Sequence, residues 1–247
     1  EESLPSIYSL PKGTVAGNLI HDVLELCDFS TPSTLRSAIE TVGQSSLIKD
    51  PWLPILESHL SQLLKTPLPH PRGEIRLCEI GPHQCLKESE FHFPTRTTST
   101  RELLNYFKSG AGKDFASSLP DIENWNEYHL DGFLRGFIDL LFEWEGKYYI
   151  LDWKSNWLGN QAEDYDQEAM VHAIAHHAYF LQYYLYTLAT VRYLQLRLPD
   201  FQYEKDFGGI FYLFVRGIDP NHPGSGVYFD RPEFTAIQKL DTLFQKK

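Results

Sequence analysis

Two apolar runs, GFLRGFIDLLFEW and KYYILDWK, stand between Gly132 and Lys154, separated only by Glu145-Gly146. Both are rich in aromatic, branched and large apolar residues, and the break between them contains a glycine. The pattern predicts a β-hairpin of strands 133–144 and 147–154. A two-residue loop sets Trp144 opposite Lys147, and counting outward sets Asp139 opposite Asp152. The two-residue strand period then puts Lys154 on the face of Asp152. Upstream, Leu19, Ile20, Val23, Leu24 and Leu26 recur at helical spacing and predict a helix over 14–26 with Thr14 as its N-cap. The stretch 29–71, with six prolines, predicts short helices joined by loops, and 75–94 alternates like strands. Within it Glu88, Glu90 and His92 share one face and Phe91 and Phe93 the other. Residues 95–126 predict loops around one helix near 101–108. Residues 165–198 hold one long helical pattern without internal Gly or Pro. An all-apolar strand over 207–217 and a terminal helix over 232–244 complete the pattern. The whole is one α/β domain, residues 1–247, with a central mixed sheet flanked by helices and more helix than strand.

The chemistry concentrates in the hairpin. Residues directly opposed across antiparallel strands have Cβ atoms about 4.5–5.5 Å apart, and like charges there are destabilising. One carboxylate turned to water would relieve the repulsion. The flanking Phe137, Ile138, Leu140, Leu141, Ile150 and Leu151 argue instead for burial. A buried pair of one sign calls for a cation or a shared proton. A hard divalent cation such as Mg²⁺ suits two carboxylates, and Lys154 adds a positive group beside it. That combination points to metal-dependent phosphodiester chemistry.

Composition narrows the picture. Among 247 residues, 42% are hydrophobic and 14% aromatic, which excludes a disordered chain. No apolar run reaches the length of a membrane span. Cys27, Cys78 and Cys85 form no C-x-x-C pair and are odd in number, so free thiols and a reducing, cytoplasmic compartment are expected. The chain opens Glu1-Glu2-Ser3-Leu4 without Met, as expected of a fragment cut from a longer polypeptide. A net charge of −11 lacks the basic surplus that gives DNA-binding proteins most of their affinity. DNA contact would then depend on local lysines, a metal, or a partner's basic channel. Ser109–Asp114 departs from a phosphate-binding loop at the first Gly and after Lys113, so no ATP site is expected. His172 and His176 lack the Glu that a zinc protease helix requires.

Asp139 followed by Asp152-Trp153-Lys154 resembles the D…(D/E)-x-K core of the PD-(D/E)xK nuclease superfamily. The longer string GFIDLLFEWEGKYYILDWKSNWLG closely resembles the RecB-type nuclease family. Gly17, His21 and Glu25 match that family's G-x-x-x-H-x-x-x-E helix, and Gln182 and Tyr186 its Q-x-x-x-Y element. Without the resemblance, His21 with Glu25 reads as a surface pair and Gln182 with Tyr186 as ordinary helix surface. The resemblance implies a restriction-endonuclease-like fold and a DNA nuclease domain of a helicase–nuclease that processes linear duplex ends in recombinational repair. It implies a metal, Mg²⁺ with Mn²⁺ or Ca²⁺ able to replace it, held by His21, Asp139, Asp152 and the Trp153 carbonyl. Asp139, Asp152 and Lys154 are its catalytic residues, with Glu90, Gln182, Tyr186 and Glu25 supporting the site or touching DNA. Implied partners are DNA, RecC-like and RecD-like subunits, and the helicase part of the same polypeptide. The competing expectation is a non-catalytic interaction or DNA-binding module on the same fold.

Overall fold

Glu145 and Gly146 both take positive φ, 49° and 74°, the geometry of a two-residue hairpin turn whose twist matches its strands. That turn fixes the register from which the sheet is built. A computed structural model describes residues 5–108 and 129–245. Helices α1 (Thr14–Leu26), α2 (Pro32–Ser45) and α3 (Trp52–Lys65) lead to a small ribbon of β1 (Leu68–His70) and β2 (Gly73–Ile75). The long strand β3 (Cys85–Ser99), helix α4 (Thr100–Tyr106) and the hairpin β4 (His129–Trp144) and β5 (Lys147–Lys154) follow. Then come α5 (Gln167–His176), α6 (Tyr179–Arg197), the short α7 (Tyr203–Asp206), β6 (Phe207–Phe214), β7 (Val227–Asp230) and α8 (Phe234–Phe244).

The main sheet runs β3-β4-β5-β6-β7; all its pairs are antiparallel except β5 with β6. A parallel pair needs both faces covered, and both are. On one face, α1, α2 and α3 pack on Leu140, Phe142, Leu151, Trp153 and Phe211. On the other, α5, α6 and α8 pack on Leu141, Ile150, Ile210, Tyr212 and Phe214. The fold is restriction-endonuclease-like, as the sequence resemblance implied.

Several expectations shift in detail. The N-cap of α1 is Gly13, at φ 99°, and Thr14 is the first helical residue. The prolines of 29–71 fall at helix starts, in loops and, for Pro69, in the short strand β1, so α2 and α3 are full helices of 14 residues each. Residues 77–84 form 3₁₀ turns, and the strand begins at Cys85 and runs on to Ser99. The expected long helix over 165–198 is two, because Ala178 turns left-handed at φ 56° between α5 and α6. The loop resembling a phosphate-binding motif, 109–114, lies outside the described residues. All three cysteines are unpaired. Among the described residues no helix is long and apolar enough to cross a membrane.

One buried cation ties the N-terminal segment to the sheet. Arg216, fully buried, donates from Nη1 to the carbonyls of Ile7 and Leu10 at 3.0 and 2.7 Å. Its Nη2 reaches Pro11 O at 2.8 Å, and its Nε reaches Ser155 O at 3.0 Å, one residue past β5. The planar fork satisfies four carbonyls that a shorter side chain would leave without a donor. Arg216→Met is therefore expected to lower the unfolding free energy by about 3–5 kcal/mol, read from urea denaturation. A loss below about 1 kcal/mol would show that water or local rearrangement replaces the clamp.

Candidate active site

The site forms where the hairpin ladder ends. Pairing of β4 with β5 runs from Trp144↔Lys147 to Leu140↔Leu151, the register counted from the sequence, and stops one step short of Asp139 and Asp152. Asp139 Oδ2 instead accepts the backbone N–H of Trp153 at 2.8 Å. The face alternation of β4 also slips here: Ile138 and Leu141 both enter the second core, whereas Leu140 enters the first. On the neighbouring strand β3, Glu88 takes φ 45°, a strained conformation for a side chain with a Cβ. Its neighbour Lys87 donates to Leu24 O of α1 at 2.8 Å, while Phe91 and Phe93 lie on the side of the second core. Two adjacent strands thus change face at one level, and that break gathers the acidic side chains.

Helix α1 brings the imidazole. A Cβ on Gly17 would meet Ser155 Oγ at 3.0 Å, so glycine lets α1 lie close against the end of β5. One turn later His21 Nε2 donates to Trp153 O at 3.1 Å, leaving Nδ1 unprotonated, 3.5 Å from Asp139 Oδ2. Burial, the largest influence, lowers the His21 pKa below its ordinary value, so the ring is neutral at pH 7. Burial first, and Asp152 second, hold the Asp139 carboxyl well above the ordinary carboxylate range. Glu88 is raised as well, chiefly by burial and then by Glu25 and Asp152.

Ligand atoms of His21, Glu88 and Asp139 lie within 4.8 Å of one another. Asp152, 2% exposed, stands beside that group, and its Oδ1 lies 2.5 Å from Lys154 Nζ. That oxygen is buried and accepts no well-formed hydrogen bond. Lys154 is itself enclosed: Nζ donates to Gln182 Oε1 at 2.7 Å and lies 3.8 Å from the centre of the Tyr179 ring. Tyr212 donates to the same Gln182 oxygen at 3.1 Å, and Gln182 Nε2 donates to Tyr186 Oη at 2.8 Å. Gln182 and Tyr186 therefore do share a helix face beside the carboxylates.

The donor set suits a hard divalent cation. Buried carboxylate oxygens, one without a hydrogen bond, a neutral imidazole and a backbone carbonyl are ligands of the right kind. Octahedral ligands at about 2.1 Å from an ion lie about 3 Å apart, and His21 Nδ1, the ring nitrogen without a proton, stands 3.5 Å from Asp139 Oδ2. Two expected residues sit elsewhere. Glu90 is exposed and pairs with Arg135 at 2.6 Å; Glu88, two residues earlier on the same expected face, stands in the cluster instead. Glu25 is exposed and lines the cavity above His21 rather than joining the cluster. Tyr179 and Tyr212, which enclose Lys154, carried no sequence signal, because aromatic residues on buried elements read as core.

A mixed sheet covered by helices on both faces, with two aspartates and a lysine where its central strands part, defines a restriction-endonuclease-like domain of the PD-(D/E)xK type. Within that class the chain is similar, over nearly its whole length, to part of the RecB subunit. It is 36% identical over 251 residues to the RecBCD enzyme subunit RecB of Escherichia coli (strain K12), covering 99% of this chain and 20% of that protein. The same subunit of Haemophilus influenzae is 37% identical over 243 residues, covering 98% of this chain and 19% of its relative. That of Mycobacterium tuberculosis is 29% identical over 271 residues. The chain spans about one fifth of the length of the first two relatives. No family model matches it.

Proposed function

We propose that this chain is the nuclease domain of a RecBCD-type helicase–nuclease and hydrolyses phosphodiester bonds of DNA at linear duplex ends during recombinational repair. The observation that carries this reading is the buried Asp139–Asp152 pair with Lys154 in contact with Asp152 and a neutral His21 alongside. His21, Asp139, Asp152 and the Trp153 carbonyl would hold the metal, Mg²⁺ in the cell, with Mn²⁺ or Ca²⁺ able to replace it. When bound, the ion supplies an activated water and neutralises charge on the phosphate. Lys154, kept in place by Gln182, orients the water and stabilises the charge that develops on the phosphoryl oxygens. Asp139 would have to ionise to serve as a ligand. The rest of the polypeptide and RecC-like and RecD-like partners carry the motors that deliver the strand, in the cytoplasm. A non-catalytic module would be signalled by loss of Asp139, Asp152 or Lys154, and all three are present.

Metal removal tests the reading. The full-length protein in its complex should degrade linear duplex DNA with ATP and Mg²⁺, and selective removal of metal from the nuclease site should leave unwinding without degradation. Because Asp139 is held protonated at neutral pH, Mn²⁺ binding to the ATP-free protein should release a proton. Titration calorimetry in two buffers of different ionisation enthalpy should show this, and Asp139→Asn should remove it. Degradation that persists without the metal, or heats that do not depend on the buffer, would contradict the assignment.

A further inference from the structure

A second cavity adjoins the one above the cluster. The first, about 360 Å³, is lined by His21, Asp22, Glu25 and Glu88, with Thr14 and Ser155 among its walls. The second, about 380 Å³, shares Thr14 and Ser155 and is lined further by Lys12, Asn156, Trp157 and Tyr179. The cavities adjoin at Thr14 and Ser155, and the two ends of the pair are chemically opposite. One end holds carboxylates and an imidazole. The other holds an ammonium and two aromatic rings, with no carboxylate in its lining.

Lys12 Nζ lies 3.2 Å from the centre of the Trp157 ring, and Trp157 keeps 37% of its surface exposed. Among the described residues Lys12 has no carboxylate partner, although the chain carries a net charge of −11. Its ammonium has three N–H donors, and the indole face engages only one side of it. Tyr179 links the two ends. Its hydroxyl donates to Asn156 Oδ1 at 3.2 Å, and its ring lies against the Lys154 ammonium.

We propose that this second cavity is a nucleotide subsite, which receives the unit next to the scissile phosphate of a single DNA strand. Lys12 contacts that unit's phosphate, and Trp157 offers an apolar surface to its base. The inference rests on the nuclease reading above. Sites for single strands combine a cation that follows the backbone with aromatic rings that tolerate any base, and the cavity has the size of a small-ligand site. In an acidic chain the phosphate-neutralising groups have to be local, and here one stands a cavity away from the metal ligands. A mere surface tether between residue 12 and the loop after β5 would require no cavity adjoining the one above the carboxylates.

The test uses the full-length protein in its complex, with Mg²⁺ and without ATP, on two substrates. One is a short thymidine oligonucleotide; the other is bis(p-nitrophenyl) phosphate, which has no neighbouring nucleotide. Lys12→Met and Trp157→Ala should each lower kcat/KM on the oligonucleotide about tenfold and leave the small diester unchanged. Lys12→Arg and Trp157→Phe, which keep the charge and the ring, should stay near the parent on both. Equal losses on the two substrates, or no loss on the oligonucleotide, would overturn the subsite alone. A parent protein inert toward both would remove the nuclease reading, and the subsite with it.

Discussion

Asp152→Asn is expected to reduce Mg²⁺-dependent DNA degradation by about a thousandfold or more while the protein stays folded. The substitution keeps the shape of a side chain only 2% exposed and removes the charge that two functions share. It deletes a proposed metal ligand, and it takes away the carboxylate that contacts Lys154 Nζ at 2.5 Å. The fold should survive because the same charge is a liability when no metal is bound. Burial and then Asp152 raise the Asp139 pKa. A carboxyl whose folded pKa is raised contributes stability below its unfolded pKa, and that stability is lost as pH rises toward the folded value. Neutralising Asp152 shrinks this loss. The stability of Asp152→Asn relative to the parent, both metal-free, should therefore improve between about pH 5 and about pH 9. Urea denaturation at several pH values, beside a degradation assay of the complex, checks both halves. Undiminished degradation would remove Asp152 from the catalytic set, and a pH-independent difference in stability would mean that the two carboxylates do not feel one another.

The hairpin was the most legible part of the chain. A two-residue loop between apolar strands leaves little choice of register, and the observed pairs from Trp144↔Lys147 to Leu140↔Leu151 follow the count. What counting could not foresee is that the ladder stops there. Strand periodicity assumes regular alternation, and the site exists because alternation fails at Asp139 and at Glu88 together. That failure explains why Glu88 rather than Glu90 joins the cluster, although both had been placed on one face. The break at Ala178 was equally hidden. Alanine is the best helix former, and only the tertiary placement of α6, which sets Gln182 beside Lys154, requires it to turn left-handed. Arg216 left no trace in the pattern either, since its four carbonyl partners come from segments up to 209 residues away.

Lys154→Met should separate the two roles of the lysine. Its ammonium is fixed from several sides, by Asp152 Oδ1, by Gln182 Oε1 and by the rings of Tyr179 and Tyr212. Methionine fills a similar volume and can lie against the same rings, so packing is largely kept and charge is lost. In catalysis, a positioned cation no longer meets the charge that develops on the phosphate, and degradation should fall about 10²–10³-fold even at saturating Mg²⁺. In folding, Asp152 is left buried without its counter-ion, a situation that costs about 3–5 kcal/mol when the carboxylate stays charged. The metal-free variant should therefore lose stability by about that amount. Mn²⁺ should restore much of the stability by binding the exposed charge, yet it should not restore the rate. Denaturation of metal-free and Mn²⁺-loaded variant, set beside the degradation assay, reads each role on its own axis. A variant whose stability Mn²⁺ does not restore would show that Lys154 acts there by packing, and one that degrades DNA at the parent rate would show that the phosphate does not meet its charge.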